Sequence, residues 1–114
     1  MAGLLGVHEV ELRPGADSAE FERVAAEVAS LPMFDGWRFR LLKGERGVRT
    51  SKYLLVFEIV SPEARDRYYP AEGQASEESG RFDEQNPEAA DAWERLHALM
   101  TDSDVATDYV VIAE

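Results

Sequence analysis

The chain has no cysteine among its 114 residues. That excludes disulfides, thiolate nucleophiles and every cysteine-ligated zinc or iron-sulfur site. Histidine is scarce as well: His8 and His97 are the two present, they do not form an HExxH-like spacing, and no metal is expected. No apolar run approaches the roughly 18 residues that a membrane span requires. The opening MAGLLG has neither the basic flank nor the apolar length of an export signal, so a cytoplasmic protein with no membrane partner is expected. GxSxG, P-loop and GxGxxG patterns are missing too, which disfavours serine hydrolysis, Walker-type nucleotide binding and dinucleotide binding.

Basic residues are few, 12 against 23 acidic ones, for a net charge of -11. Nucleic-acid binding depends on a basic face that displaces counterions from phosphates, so no nucleic-acid partner is expected. The imbalance is local. Residues 1–60 hold 8 Lys/Arg against 9 Asp/Glu, whereas residues 61–114 hold 4 against 14. Arg38, Arg40, Lys43, Arg46, Arg49 and Lys52 are half of all the cations and form one positive zone, which reads first as a solvated hairpin tip and second as a place for a small anion.

What remains is a 45% apolar chain with clear periodicity. The spacing predicts a strand over 7–13, closed by Pro14-Gly15. A helix follows, started by Asp17 with Glu20 and carrying Phe21, Val24, Val28 and Leu31 at spacings of three and four, and Pro32 stops it. Strands are expected over 37–43, where Trp37, Phe39 and Leu41 alternate with Arg38 and Arg40, and over 53–60, apolar on both faces except at Glu58 and therefore central. Setting residue 41 opposite 55 pairs Phe39 with Phe57 and Arg38 with Glu58, an aromatic pair and a cross-strand ion pair. Ser61-Pro62-Glu63 opens a helix to about residue 69. Residues 71–86 show no period and read as an inserted loop, with Phe82 as its one anchor. Asn86-Pro87-Glu88 restarts a helix that carries Ala89, Trp93, Leu96 and Met100, and 109–113 is the last strand.

The order βαββαβ specifies a single α+β domain over 1–114 of the ferredoxin-like kind, a four-stranded antiparallel sheet with helices on one face. Glu9, Glu11, Arg38, Arg40, Leu42, Leu54, Val56, Glu58 and Val60 fall on the other face. Its mixture of apolar and paired charged residues suits a second copy of the chain better than water.

The stretch His8-Glu9-Val10-Glu11-Leu12-Arg13-Pro14-Gly15 with Glu20-Phe21, Gly36-Trp37 entering a strand, and Lys52-Tyr53-Leu54-Leu55-Val56-Phe57-Glu58-Ile59 leading into Ser61-Pro62-Glu63-Ala64 resembles the dimeric α+β barrel superfamily. That superfamily includes the antibiotic-biosynthesis monooxygenase, stress-responsive barrel, EthD-like and NIPSNAP-like families. The resemblance spans residues 6–113. It implies a homodimer joined sheet to sheet, with a pocket between each sheet and its own helices. Its members include cofactor-free monooxygenases, isomerases, polyketide cyclases, haem-binding and haem-degrading proteins, and proteins without known activity, and fold alone does not choose among these.

Three residues carry the catalytic expectation. His8 shares a strand face with Val10 and Leu12, which points it toward the helices, and an imidazole with its ordinary pKa of about 6.5 suits proton abstraction from an acidic carbon or phenol. His97 and Tyr68 are the candidates for positioning, and Trp37, Tyr53, Tyr69 and Trp93 are the candidate pocket walls. Each also has a structural reading: a hydrogen-bonded strand histidine, a helix histidine favourable near a C-terminus, and aromatic residues that form the core. The function expected is a homodimer that binds a small apolar or aromatic ligand, as a cofactor-independent monooxygenase or isomerase. The alternatives are a non-catalytic binding or structural protein, and a haem protein with His8 or His97 as ligand.

Overall fold

The structure, a computed structural model, describes residues 3–101 and 105–114. Strands β1 (Leu4–Val10), β2 (Trp37–Lys43), β3 (Tyr53–Ile59) and β4 (Val105–Val110) form one antiparallel sheet in the order β2-β3-β1-β4. This is the ferredoxin-like α+β arrangement expected. β3 and β1 are central because they are the strands whose side chains are apolar on both faces.

The β2–β3 register is the expected one, Leu41 opposite Leu55, Phe39 opposite Phe57 and Arg38 opposite Glu58. The ion pair differs. Glu58 bonds to Arg40 at 3.1 Å rather than to Arg38, so the carboxylate reaches the diagonal neighbour on its own face. β1 starts at Leu4, not Val7, because Leu4 and Leu5 continue the ladder against Ile59 and Glu58. The stretch expected to end it makes only an isolated bridge, Leu12 to Met100. β4 likewise runs earlier than 109–113: Val105 to Val110 pair with Glu9 to Leu4 of β1.

Helix α1 (Ser18–Ser30) is capped by Asp17, whose side chain accepts from the Ala19 amide at 3.1 Å, and it buries Phe21, Val24, Ala25 and Val28. Helix α2 (Pro62–Tyr68) has Ser61 as its cap and proline in its first turn. Residues 71–86 are not one loop. Glu77–Gln85 form helix α3, with the Ser76 side chain as cap and Phe82 packed on Phe34 at a ring separation of 5.0 Å. Its sequence has one large apolar residue, Phe82, so capping and tertiary contact hold it rather than a broad apolar stripe. Helix α4 (Pro87–Ala98) buries Ala92 and Leu96, with Met100 beyond its end; Ala89 and Trp93 of the expected stripe are half-buried.

The helices do not cover the sheet evenly. α1 packs over β2 and against α4, and α2 packs on β3. The core is Phe21, Val24, Leu55, Phe57, Ile59, Leu96 and their neighbours. Every residue of β4 is exposed. None of the described helices is long and apolar enough to cross a membrane.

Candidate functional site

Residues opposite each other in an antiparallel ladder point to the same side of the sheet. Leu4, Gly6, His8 and Val10 of β1 face the helices, so Val110, Asp108 and Ala106, which stand opposite Leu4, Gly6 and His8, face that side as well. On β1 this side is covered or half covered. On β4 it is open: Val110 is 64% exposed. The result is an uncovered shelf along β4 beside the helices, with the small residue Ala106 as its floor and the buried Gly6 at its inner edge, under the Asp108 carboxylate.

The wall of the shelf is aromatic. Phe57, buried on β3, touches four rings: His8, Trp37, Phe39 and Trp93, each with its centroid 5.6 Å away. His97 continues the series edge-on to Trp93 at 4.7 Å. These centroid separations and tilted or edge-to-face angles are those at which aromatic pairs attract. Trp37 is also fixed to α2, since its indole Nε1 donates to the Ala64 carbonyl at 3.0 Å. His8 is half-buried and His97 exposed, so both lie at the rim rather than inside the cluster.

Of the residues expected to form the site, His8, Trp37, Trp93 and His97 are thus brought together around Phe57. Tyr69 adjoins them through Trp37 at 6.0 Å. Tyr68 sits one layer behind: buried, stacked on Phe34 at 4.2 Å, its hydroxyl accepting from the Asp35 amide at 3.1 Å. Tyr53 is elsewhere. Its ring packs on Phe21 and its hydroxyl donates to the Glu22 carboxylate at 2.5 Å, which also accepts from Lys43 at 3.1 Å. There it borders a separate cleft of about 300 Å³ between α1 and the sheet, lined by Ala25, Ala26, Ala29, Leu41 and Lys43. Burial first, and then the hydrogen bond to Glu22, raise the Tyr53 pKa; the Tyr53 hydroxyl first, and Lys43 second, lower that of Glu22.

Trp37 and Trp93 pack on Phe57, and the open part of the helix-facing side next to them is the shelf along β4. Two charged residues on the shelf escaped the sequence reading. Arg65 of α2 bonds to Asp108 of β4 at 3.3 Å and to its neighbour Asp66 at 3.0 Å. The bond to Asp66, with a smaller part from Asp108, raises the guanidinium pKa. The signal for Asp108 was the strand position: beginning β4 at Val105 places it opposite Gly6. Among the described residues no three His, Asp or Glu side chains are grouped to hold a metal ion.

No family model and no curated protein sequence matches the chain. Solved structures do. The Mycobacterium tuberculosis protein Rv0793 is 15% identical over 97% of this chain and 96% of its own, with a TM-score of 0.52. The cofactor-independent oxygenase SnoaB from Streptomyces nogalater is 19% identical over 97% and 94%, also with a TM-score of 0.52. At such identities the likeness is one of fold alone, the α+β arrangement described above.

Proposed function

We propose that the protein is a homodimer that binds a small aromatic or polyketide-like molecule on the helix-side shelf of β1 and β4, and that His8 acts on it as a general base. The observation that carries the reading is the uncovered inner side of β4 facing a rim of rings that ends in His8. A flat apolar ligand lying on Ala106, which stands opposite His8, would place an acidic C–H or phenol beside the imidazole. Abstraction of that proton leaves a carbanion delocalised over the ligand. Such an anion reacts with dioxygen directly, the outcome of a cofactor-independent oxygenation, or is reprotonated elsewhere, the outcome of an isomerisation. His97 would position the ligand, and the stacked Tyr68–Phe34 pair would hold the Trp37 ring from behind. The similarity to a cofactor-independent oxygenase supports this reading.

A second copy completes the picture. On the open face Leu42, Val105 and Tyr109 are 44%, 60% and 54% exposed, and Leu5, Val7 and Leu54 lie between them in register. Exposed apolar surface of this kind is what interfaces cover. The Arg40–Glu58 and Arg49–Glu9 pairs, formed within the chain on strands or a loop of that same side, would lie within such an interface. The filled space around Phe57 favours one other reading, a binding protein that performs no chemistry.

The test is proton exchange. In deuterated water, a tricyclic aromatic ketone with an acidic methylene should gain deuterium faster with the protein than without it. His8→Ala should remove that acceleration while leaving the fold intact by circular dichroism. Equal exchange by the variant would dismiss His8 as the base. Binding without any exchange by the native chain would leave the non-catalytic reading.

A further inference from the structure

One ion pair crosses the shelf. Arg65 reaches Asp108 from the helix layer, and the Asp108 carboxylate lies so close over Gly6 that a Cβ there would stand 3.2 Å from its Oδ1. The side chain missing at Gly6 is what lets the pair form across β1. The guanidinium uses Nε for Asp66 and Nη1 for Asp108, and its Nη2 bonds to nothing among the described residues. Asp108 is 49% exposed, so its hold on Arg65 is the weak one of a surface pair.

Resting on the shelf as the ligand site, we infer that Arg65 selects ligands bearing a carboxylate at one end of the aromatic body, the ligand's carboxylate taking the place of Asp108. The exchange is like for like. Asp108 returns to water it already half occupies, while the incoming group gains the two-bond fork across Nη1 and Nη2 that Asp108 does not make. A chain with a net charge of -11 repels anions at range, so a fixed guanidinium on the shelf is the feature that makes an acidic ligand acceptable. A neutral aromatic molecule would leave the pair closed and bind by its rings alone.

Calorimetric titrations with 2-naphthoate and 2-naphthol separate the two claims. The native protein should bind the carboxylate about tenfold more tightly than the phenol, a difference of about 1.4 kcal/mol. Arg65→Gln should remove that preference, and Asp108→Asn, which keeps the residue's shape but not its charge, should strengthen naphthoate binding several-fold. Equal affinities in the native protein, a preference that survives Arg65→Gln, or no gain in Asp108→Asn would each overturn the role of Arg65 and leave the shelf standing. No binding of either probe by the native protein would overturn the shelf itself. A variant that had lost β4 would lose both probes, whereas one that had lost selection would lose only the difference between them.

Discussion

The Glu22 carboxylate accepts from the Tyr53 hydroxyl and from Lys43, and its pKa lies below the ordinary 4.5 for that reason. A group whose folded pKa is depressed contributes stability above its unfolded value and loses it as pH falls through the folded one. The window therefore lies from about 4.5 downward, and Glu22→Gln should flatten the acid limb of the stability profile there; denaturant melts from pH 6 to pH 2 would show it, and an unaltered limb would remove Glu22 from the account. Trp37 gives a second prediction at this scale. Trp37→Phe keeps an aromatic ring against Phe57 but leaves the Ala64 carbonyl without its indole donor, a loss of about 1 kcal/mol in chemical denaturation. Residue by residue, chemistry was legible only in part. His8, Trp37, Trp93 and His97 could be grouped because strand alternation and helix spacing put them on one side. Tyr53 shares the helix-facing side of β3 with Phe57, but four residues along the strand carry it to the Glu22 end, beyond what alternation alone conveys.

Among the elements, β2 and β3 were the most legible, in register and to within one residue in their bounds, because alternating Trp37, Phe39 and Leu41 against Tyr53, Leu55 and Phe57 admit one pairing that sets them all on the helix-facing side. α3 was not legible. EESGRFDEQ has one large apolar residue, and what makes it a helix is the Ser76 cap, the Arg67–Glu78 pair and the seat of Phe82 on Phe34. Phe82→Ala should therefore cost about 2 kcal/mol, less than a fully buried phenylalanine, and should raise amide hydrogen exchange over Glu77–Gln85 before the sheet is affected. Gly80 offers the opposite sign. It lies within α3 with open space where a Cβ would be, so Gly80→Ala should stabilise the protein by about 0.5–1 kcal/mol in urea melts. β4 was placed late because Tyr109 to Ile112 are the most apolar part of the C-terminal stretch. Pairing with β1 instead recruits Val105 to Val110, half of whose residues are small or polar, and that shift is what hid Asp108 from view.

For the whole molecule, the sheet presents two different faces, one filled by helices except along β4 and one open. An interface on the open face predicts a dimer in sedimentation at micromolar concentration. Leu42→Glu together with Val105→Glu should shift it to monomer by setting like charges into the interface, without unfolding the chain, since both side chains are already exposed in the single copy. The shelf on the other side is the central claim, and a two-dimensional amide NMR titration with 2-naphthol tests it most directly. Saturable shifts concentrated at Gly6, His8, Ala106 and Asp108 are predicted. Shifts centred instead on Ala26, Ala29 and Lys43 in the α1 cleft, or no saturable shift at all, would contradict it.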